Sequence, residues 1–120
     1  MRETYEFTEA PRVLTIHLAR FKADLTKNCS PVLSNEELVL NLQSGAAISY
    51  KHKATLSHQG HHLNDGHYVA YKRMPDGRCF LFDDALVNPV EEGVVFNSMA
   101  LEGGGVHAET PYVILYERIL

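Results

Sequence analysis

The chain has 120 residues, 45% of them hydrophobic and 22% charged, with a formal charge of −4 and a pI near 5.9. That composition excludes wholesale disorder, and without a cluster of lysines and arginines no nucleic-acid partner is expected. No apolar run approaches the roughly 20 residues that span a bilayer, so no membrane partner is expected either, and the polar start Met1-Arg2-Glu3-Thr4-Tyr5-Glu6 does not read as a secretion signal. Cys29 and Cys79 are too few for a disulfide framework, which makes a reducing, intracellular setting the expectation.

In chain order, the first element is a period-two run from Val13 to Phe21. Leu14, Ile16 and Leu18 lie on one face and Val13, Thr15, His17, Ala19 and Phe21 on the other, which predicts a strand covered on both sides. Lys22 to Ser34 is polar and reads as a loop. In the next stretch, Ser34 before Asn35-Glu36-Glu37 looks like a helix cap, yet Leu38, Leu40 and Leu42 alternate; an extended segment is expected. Ile48 to Ser57 alternates as a half-buried antiparallel strand, and Gln59 to Gly66 reads as a mobile loop. The clearest signal is a hairpin, His67–Arg73 and Arg78–Phe82 around Met74-Pro75-Asp76-Gly77. A short helix is expected within Glu91–Leu101, ended by Gly103-Gly104-Gly105, and a final, central strand over Tyr112–Tyr116. The fold class expected is α+β, mainly antiparallel β-sheet.

The hairpin brings an imidazole close to two carboxylates. If Met74–Gly77 form a four-residue loop, Arg73 pairs with Arg78 and His67 lies opposite Asp84; if Arg73–Gly77 form a five-residue loop, His67 faces Asp83. A one-residue slip exchanges faces, so spacing leaves both acids open. In either register a carboxylate on one ring nitrogen would orient the ring and leave the other nitrogen to accept a proton, although cross-strand His–Asp contacts are also common as purely structural pairs.

Three segments of the chain fit one pattern. They are Ala10-Pro11-Arg12-Val13-Leu14-Thr15-Ile16-His17-Leu18-Ala19-Arg20-Phe21; the set Leu56-Ser57-His58-Gln59-Gly60, Gly66-His67-Tyr68-Val69-Ala70-Tyr71 and Phe82-Asp83-Asp84-Ala85-Leu86-Val87; and Pro111-Tyr112-Val113-Ile114-Leu115-Tyr116-Glu117-Arg118. Together they resemble the proline-led strand, the histidine box and the closing strand in the C-terminal half of the ubiquitin-specific protease family, papain-like deubiquitinating cysteine peptidases. The resemblance implies that residues 1–120 are the C-terminal, palm portion of such a catalytic domain, with motifs over 11–118 and no second domain. His67 is then similar to the catalytic general base, Asp83 to the residue that orients it, and Asp84 to a supporting neighbour. Tyr68 and Gly66 match substrate-binding positions, Tyr68 lining a groove narrow enough to favour the Gly-Gly tail of ubiquitin. His58 belongs to the same pattern and is expected to shape the loop. The implied reaction is thiol-dependent hydrolysis of the (iso)peptide bond after ubiquitin's terminal glycine, with no cofactor and no metal.

The family's cysteine box has no match here. Cys29 lies in a loop, Thr26-Lys27-Asn28-Cys29-Ser30-Pro31, and Cys79 lies within the hairpin where the family often has tryptophan. The family's oxyanion-hole donors and its paired CxxC zinc ribbon are missing as well. The chain alone is therefore expected to be inactive, with ubiquitin or ubiquitinated proteins and a cysteine-bearing N-terminal half as its partners, apolar surface left exposed for that half, and a cytoplasmic or nuclear address. The alternatives are a catalytically inactive ubiquitin-binding module, and a metal site built from His58, His61, His62 and His67; the latter lacks a matched ligand elsewhere.

Overall fold

The computed structural model describes residues 6–19, 21–28, 35–61, 66–91 and 110–119. Within them seven strands form one antiparallel sheet: β1 (Val13–His17), β2 (Glu37–Asn41), β3 (Ala47–Gln59), β4 (His67–Arg73), β5 (Cys79–Asp83), β6 (Leu86–Val90) and β7 (Thr110–Arg118). The order is β1-β7-β3-β4-β5-β6, with β2 paired to the first part of β3. No helix occurs among the described residues; the helix expected after Glu91 lies outside them.

The alternating leucines of Glu37–Asn41 form a strand, as expected, because the edge of β3 offers them a ladder. β7 is central, between β1 and β3. β1 departs from expectation: it borders only β7, and Val13, Thr15 and His17 are exposed while Leu14 and Ile16 turn inward, so this chain covers one of its faces rather than two. β6 was not anticipated. It is an edge strand, which lets Pro89 sit in it without losing a ladder bond that matters. Its Leu86 and Val87 are among the most exposed large apolar side chains described.

Two apolar clusters hold the sheet. Leu40, Tyr50, Ile114 and Tyr116 form one, joined by Leu14, Ile16, Leu38 and Ile48. The Tyr50 hydroxyl donates to Pro11 O (2.5 Å) and the Tyr116 hydroxyl to Asn35 O (2.9 Å), so the connections are stapled to the core by groups that burial would otherwise leave unpaired. Val69, Tyr71 and Cys79 form the second cluster, beneath Leu81 and Val90. β3 and β7 slip register twice, once at Lys53 on β3 and once at Tyr112 on β7. The second slip lets Pro111 stand in a central strand, and such bulges re-aim side chains.

Candidate active site

The β4–β5 connection decides which acid meets His67. Gly77 N donates to Met74 O (2.9 Å) and Met74 N to Arg78 O (2.8 Å), closing a three-residue loop, Pro75-Asp76-Gly77, whose glycine has φ +89°. This is a type I turn followed by a left-handed residue, a position that glycine occupies without strain. Arg73 therefore pairs with Cys79 and Ala70 with Phe82, a register that neither expected loop produces. Continued one step to the end of β5, it sets Asp83 opposite Val69, so Asp83 lies one diagonal step from His67 on the same face, within reach of a long side chain, while Asp84 belongs to the turn that follows.

That diagonal is bridged. His67 Nε2 donates to Asp83 Oδ1 at 2.6 Å, and both side chains remain about two-fifths exposed, at 41% and 38%. The hydrogen bond to Asp83 is the main cause of a raised His67 pKa; partial desolvation opposes it, and the charges of Asp83 and Asp84 add to it. Asp84 occupies the two-residue turn into β6 with φ +52°, a left-handed conformation that Asp tolerates better than most residues, and it acts on the ring through its charge. His67 closes a row of residues on one sheet face, Val69 and Tyr71 from β4 with Cys79 and Leu81 from β5, so the apolar cluster fixes both strands just behind the pair.

Tyr68 points to the opposite face and meets His58 edge-on at 4.9 Å between ring centroids, with Tyr112 6.0 Å away. Phe21 and His17 complete this aromatic group through Tyr112. Gly66 is exposed, and its φ is not positive. It must be glycine for space: a Cβ there would fall on His58 Nε2, with Cε1 2.6 Å away.

His58 itself is fully buried. Lys27 Nζ donates to its Nδ1 (3.0 Å) and to its carbonyl oxygen (2.9 Å). Burial, then the Lys27 charge, lowers the His58 pKa to about 4. A donor on Nδ1 assigns the ring proton to Nε2, which has no hydrogen-bond partner among the described residues. Lys27, itself buried, was not anticipated: a lysine in a polar loop carries no local signal of burial.

Among the described residues, the histidine-rich stretch does not gather into the metal site raised as an alternative. His58 is turned inward against an ammonium group and His67 is bound to Asp83, while His62 lies outside the described residues. His67, Asp83 and Asp84 do offer one donor atom each within 4.8 Å of one another, an exposed acidic arrangement that needs no ion to explain it. Cys79 is a buried core thiol at the far end of β4–β5 from His67, roughly 20 Å away along the strand, and Cys29 lies outside the described residues.

The family model for "Ubiquitin carboxyl-terminal hydrolase" matches residues 2–116. The chain belongs to this family. Among curated relatives of the ubiquitin carboxyl-terminal hydrolase family, hydrolase 11 of Saccharomyces cerevisiae is 41% identical over 70 residues, covering 57% of this chain and 10% of the relative. Hydrolase 13 of the same yeast is 31% identical over 118 residues, covering 92% and 15%. The chain thus spans about a seventh or less of the length of these two relatives. Among solved structures, the Ubp8-Sgf11-Sgf73-Sus1 SAGA DUB module superposes with a TM-score of 0.75 at 25% identity, over 94% of this chain and 25% of that one. A SAGA DUB module bound to monoubiquitin gives a TM-score of 0.76 at 23% identity, over 94% and 24%. The mainly antiparallel palm portion expected from the three sequence segments is therefore the fold of a ubiquitin-specific protease C-terminal region.

Proposed function

We propose that the chain supplies the general base and its orienting acid to a thiol-dependent deubiquitinating site that hydrolyses the (iso)peptide bond after the C-terminal glycine of ubiquitin. The observation that carries this reading is the His67 Nε2–Asp83 Oδ1 hydrogen bond of 2.6 Å at the end of the sheet, in a chain of this hydrolase family. With Nε2 committed to Asp83, Nδ1 is the nitrogen that takes the thiol proton. The raised proton affinity of His67 favours a thiolate–imidazolium pair. The thiolate adds to the carbonyl carbon, His67 returns the proton to the departing amine, and the thioester is hydrolysed by a water that His67 deprotonates. Asp83 keeps the ring oriented throughout and Asp84 adds negative potential. Tyr68 lines the path of the Gly-Gly tail in this reading, which its 39% exposure next to His67 supports.

The nucleophile is assigned to a cysteine-bearing N-terminal half: Cys79 is buried far from His67, and the residues around Cys29 do not match the cysteine box of the family that this chain resembles. Exposed Leu86, Val87 and Val13 fit surfaces that such a half would cover. The monoubiquitin complex of a SAGA DUB module supports ubiquitin as the partner, and an intracellular address, cytoplasmic or nuclear, goes with that substrate.

A ubiquitin probe bearing a C-terminal electrophile tests the division of labour. The 120-residue chain alone is expected to resist labelling, and adding the cysteine-bearing half is expected to produce labelling that requires His67. Covalent capture of the isolated chain would overturn it. A ubiquitin titration followed by NMR is expected to shift Tyr68 and His67; shifts that persist without turnover in the assembled protein would identify a binding module instead.

A further inference from the structure

His67 is flanked in sequence by two residues that both lean on one buried imidazole. Gly66 has no room for a Cβ because His58 Nε2 occupies that place, and Tyr68 packs its ring against the His58 ring at 66°. What holds His58 is Lys27. Its Nζ reaches both Nδ1 and the carbonyl oxygen of His58, and its backbone N–H donates to His61 O at 2.8 Å. Lys27 is therefore bonded on both sides of Gln59, the β3 residue that pairs with His67. Phe21, which bridges to Lys27, closes the other side of the ring at 5.1 Å. Burying an amino group is costly unless acceptors surround it, and here two acceptors belong to one residue.

We propose that Lys27 is a positioning residue for the proposed reaction: by fixing the tautomer and orientation of His58 it sets the Gly66-His67-Tyr68 backbone, and so the His67–Asp83 geometry. This rests on the reading of His67 as general base, but the contacts can be tested without substrate. In side-chain NMR of the full chain, His58 is expected to show one tautomer with its proton on Nε2, and His67 a downfield Nε2–H bonded to Asp83. Lys27→Met is expected to abolish the single His58 tautomer and, with it, the His67 downfield resonance. Tyr50→Phe, an equally buried change in the other cluster, is expected to leave that resonance intact.

A folded Lys27→Met chain that keeps the His67 resonance overturns the proposal. If Lys27→Met does not fold, Gly66→Ala decides: it leaves Lys27 in place but displaces the His58 ring, and it is expected to remove the same resonance. Its retention would overturn the proposal. Where both variants fold, the double variant is expected to be no worse than either single one, as for two changes acting through one ring. Failure of ubiquitin recognition would leave every one of these resonances unchanged, so it would sink the reaction and not the clamp.

Discussion

His58 and His67 sit on adjacent strands, close enough that His58 pairs with Tyr68 and Gln59 with His67, yet their surroundings pull them in opposite directions. One ring is sealed among Phe21, Tyr68 and a lysine, and is held neutral with a pKa of about 4. The other is half open to solvent against a carboxylate, and its pKa is raised. Two identical side chains are thus driven to opposite proton affinities by what packs beside them, Lys27, Phe21 and Tyr68 in one case and Asp83 of β5 in the other.

The largest expected difference is in turnover. His67→Gln is expected to lower the activity of the assembled enzyme by about 10²–10⁴, while the melting temperature of the chain stays essentially unchanged. Equal losses of stability in His67→Gln and His58→Ala would erase the contrast. His58→Ala comes next: losing a buried ring and leaving the Lys27 amino group without its Nδ1 acceptor is expected to cost about 3–5 kcal/mol in denaturant unfolding.

The third expectation is a pH dependence. His58 and His52 have folded pKa values near 4 against 6.5, so the unfolded chain binds more protons between those values, and stability is expected to fall as pH drops from about 6.5 to 4. His67 works the other way. Its raised pKa adds stability that is complete below 6.5 and is lost as pH rises through the folded value. Two depressed histidines outweigh one raised and exposed, so melting temperatures should decline towards acid; a rise would overturn the assignment. The smallest effect is Asp83→Asn, which keeps an acceptor for Nε2 but removes the charge. The His67 midpoint is expected to move back towards 6.5 in an imidazole NMR titration.

Much of this arrangement was legible in the residues. Period-two alternation marked β1, β2 and β3, an apolar run over Tyr112–Tyr116 marked β7, and Pro-Asp-Gly marked the hairpin. The register was not legible, because the three-residue loop Pro75-Asp76-Gly77, closed by Met74 and Arg78, depends on Gly77 being left-handed beyond the turn, which composition does not display. Spacing left Asp83 and Asp84 open for that reason; only the family resemblance favoured Asp83. β6 was hidden by Pro89, which argues against a strand until the strand is known to lie at an edge. Lys27 was hidden because its burial is created by segments 31 residues away.

The spans of the two histidine contacts differ as well. His67 and Asp83 are joined across 16 residues of a single hairpin, whereas Lys27 and His58 are joined across 31 residues and separate elements. Partial opening severs long-range docking before it severs a local hairpin. In native-state hydrogen exchange the segment around Lys27 and His61 should therefore open at lower free energy than the amides of Tyr71 and Leu81. His67 and Asp83 then stay together as a preassembled pair while the contact of Lys27 with His58 lets go.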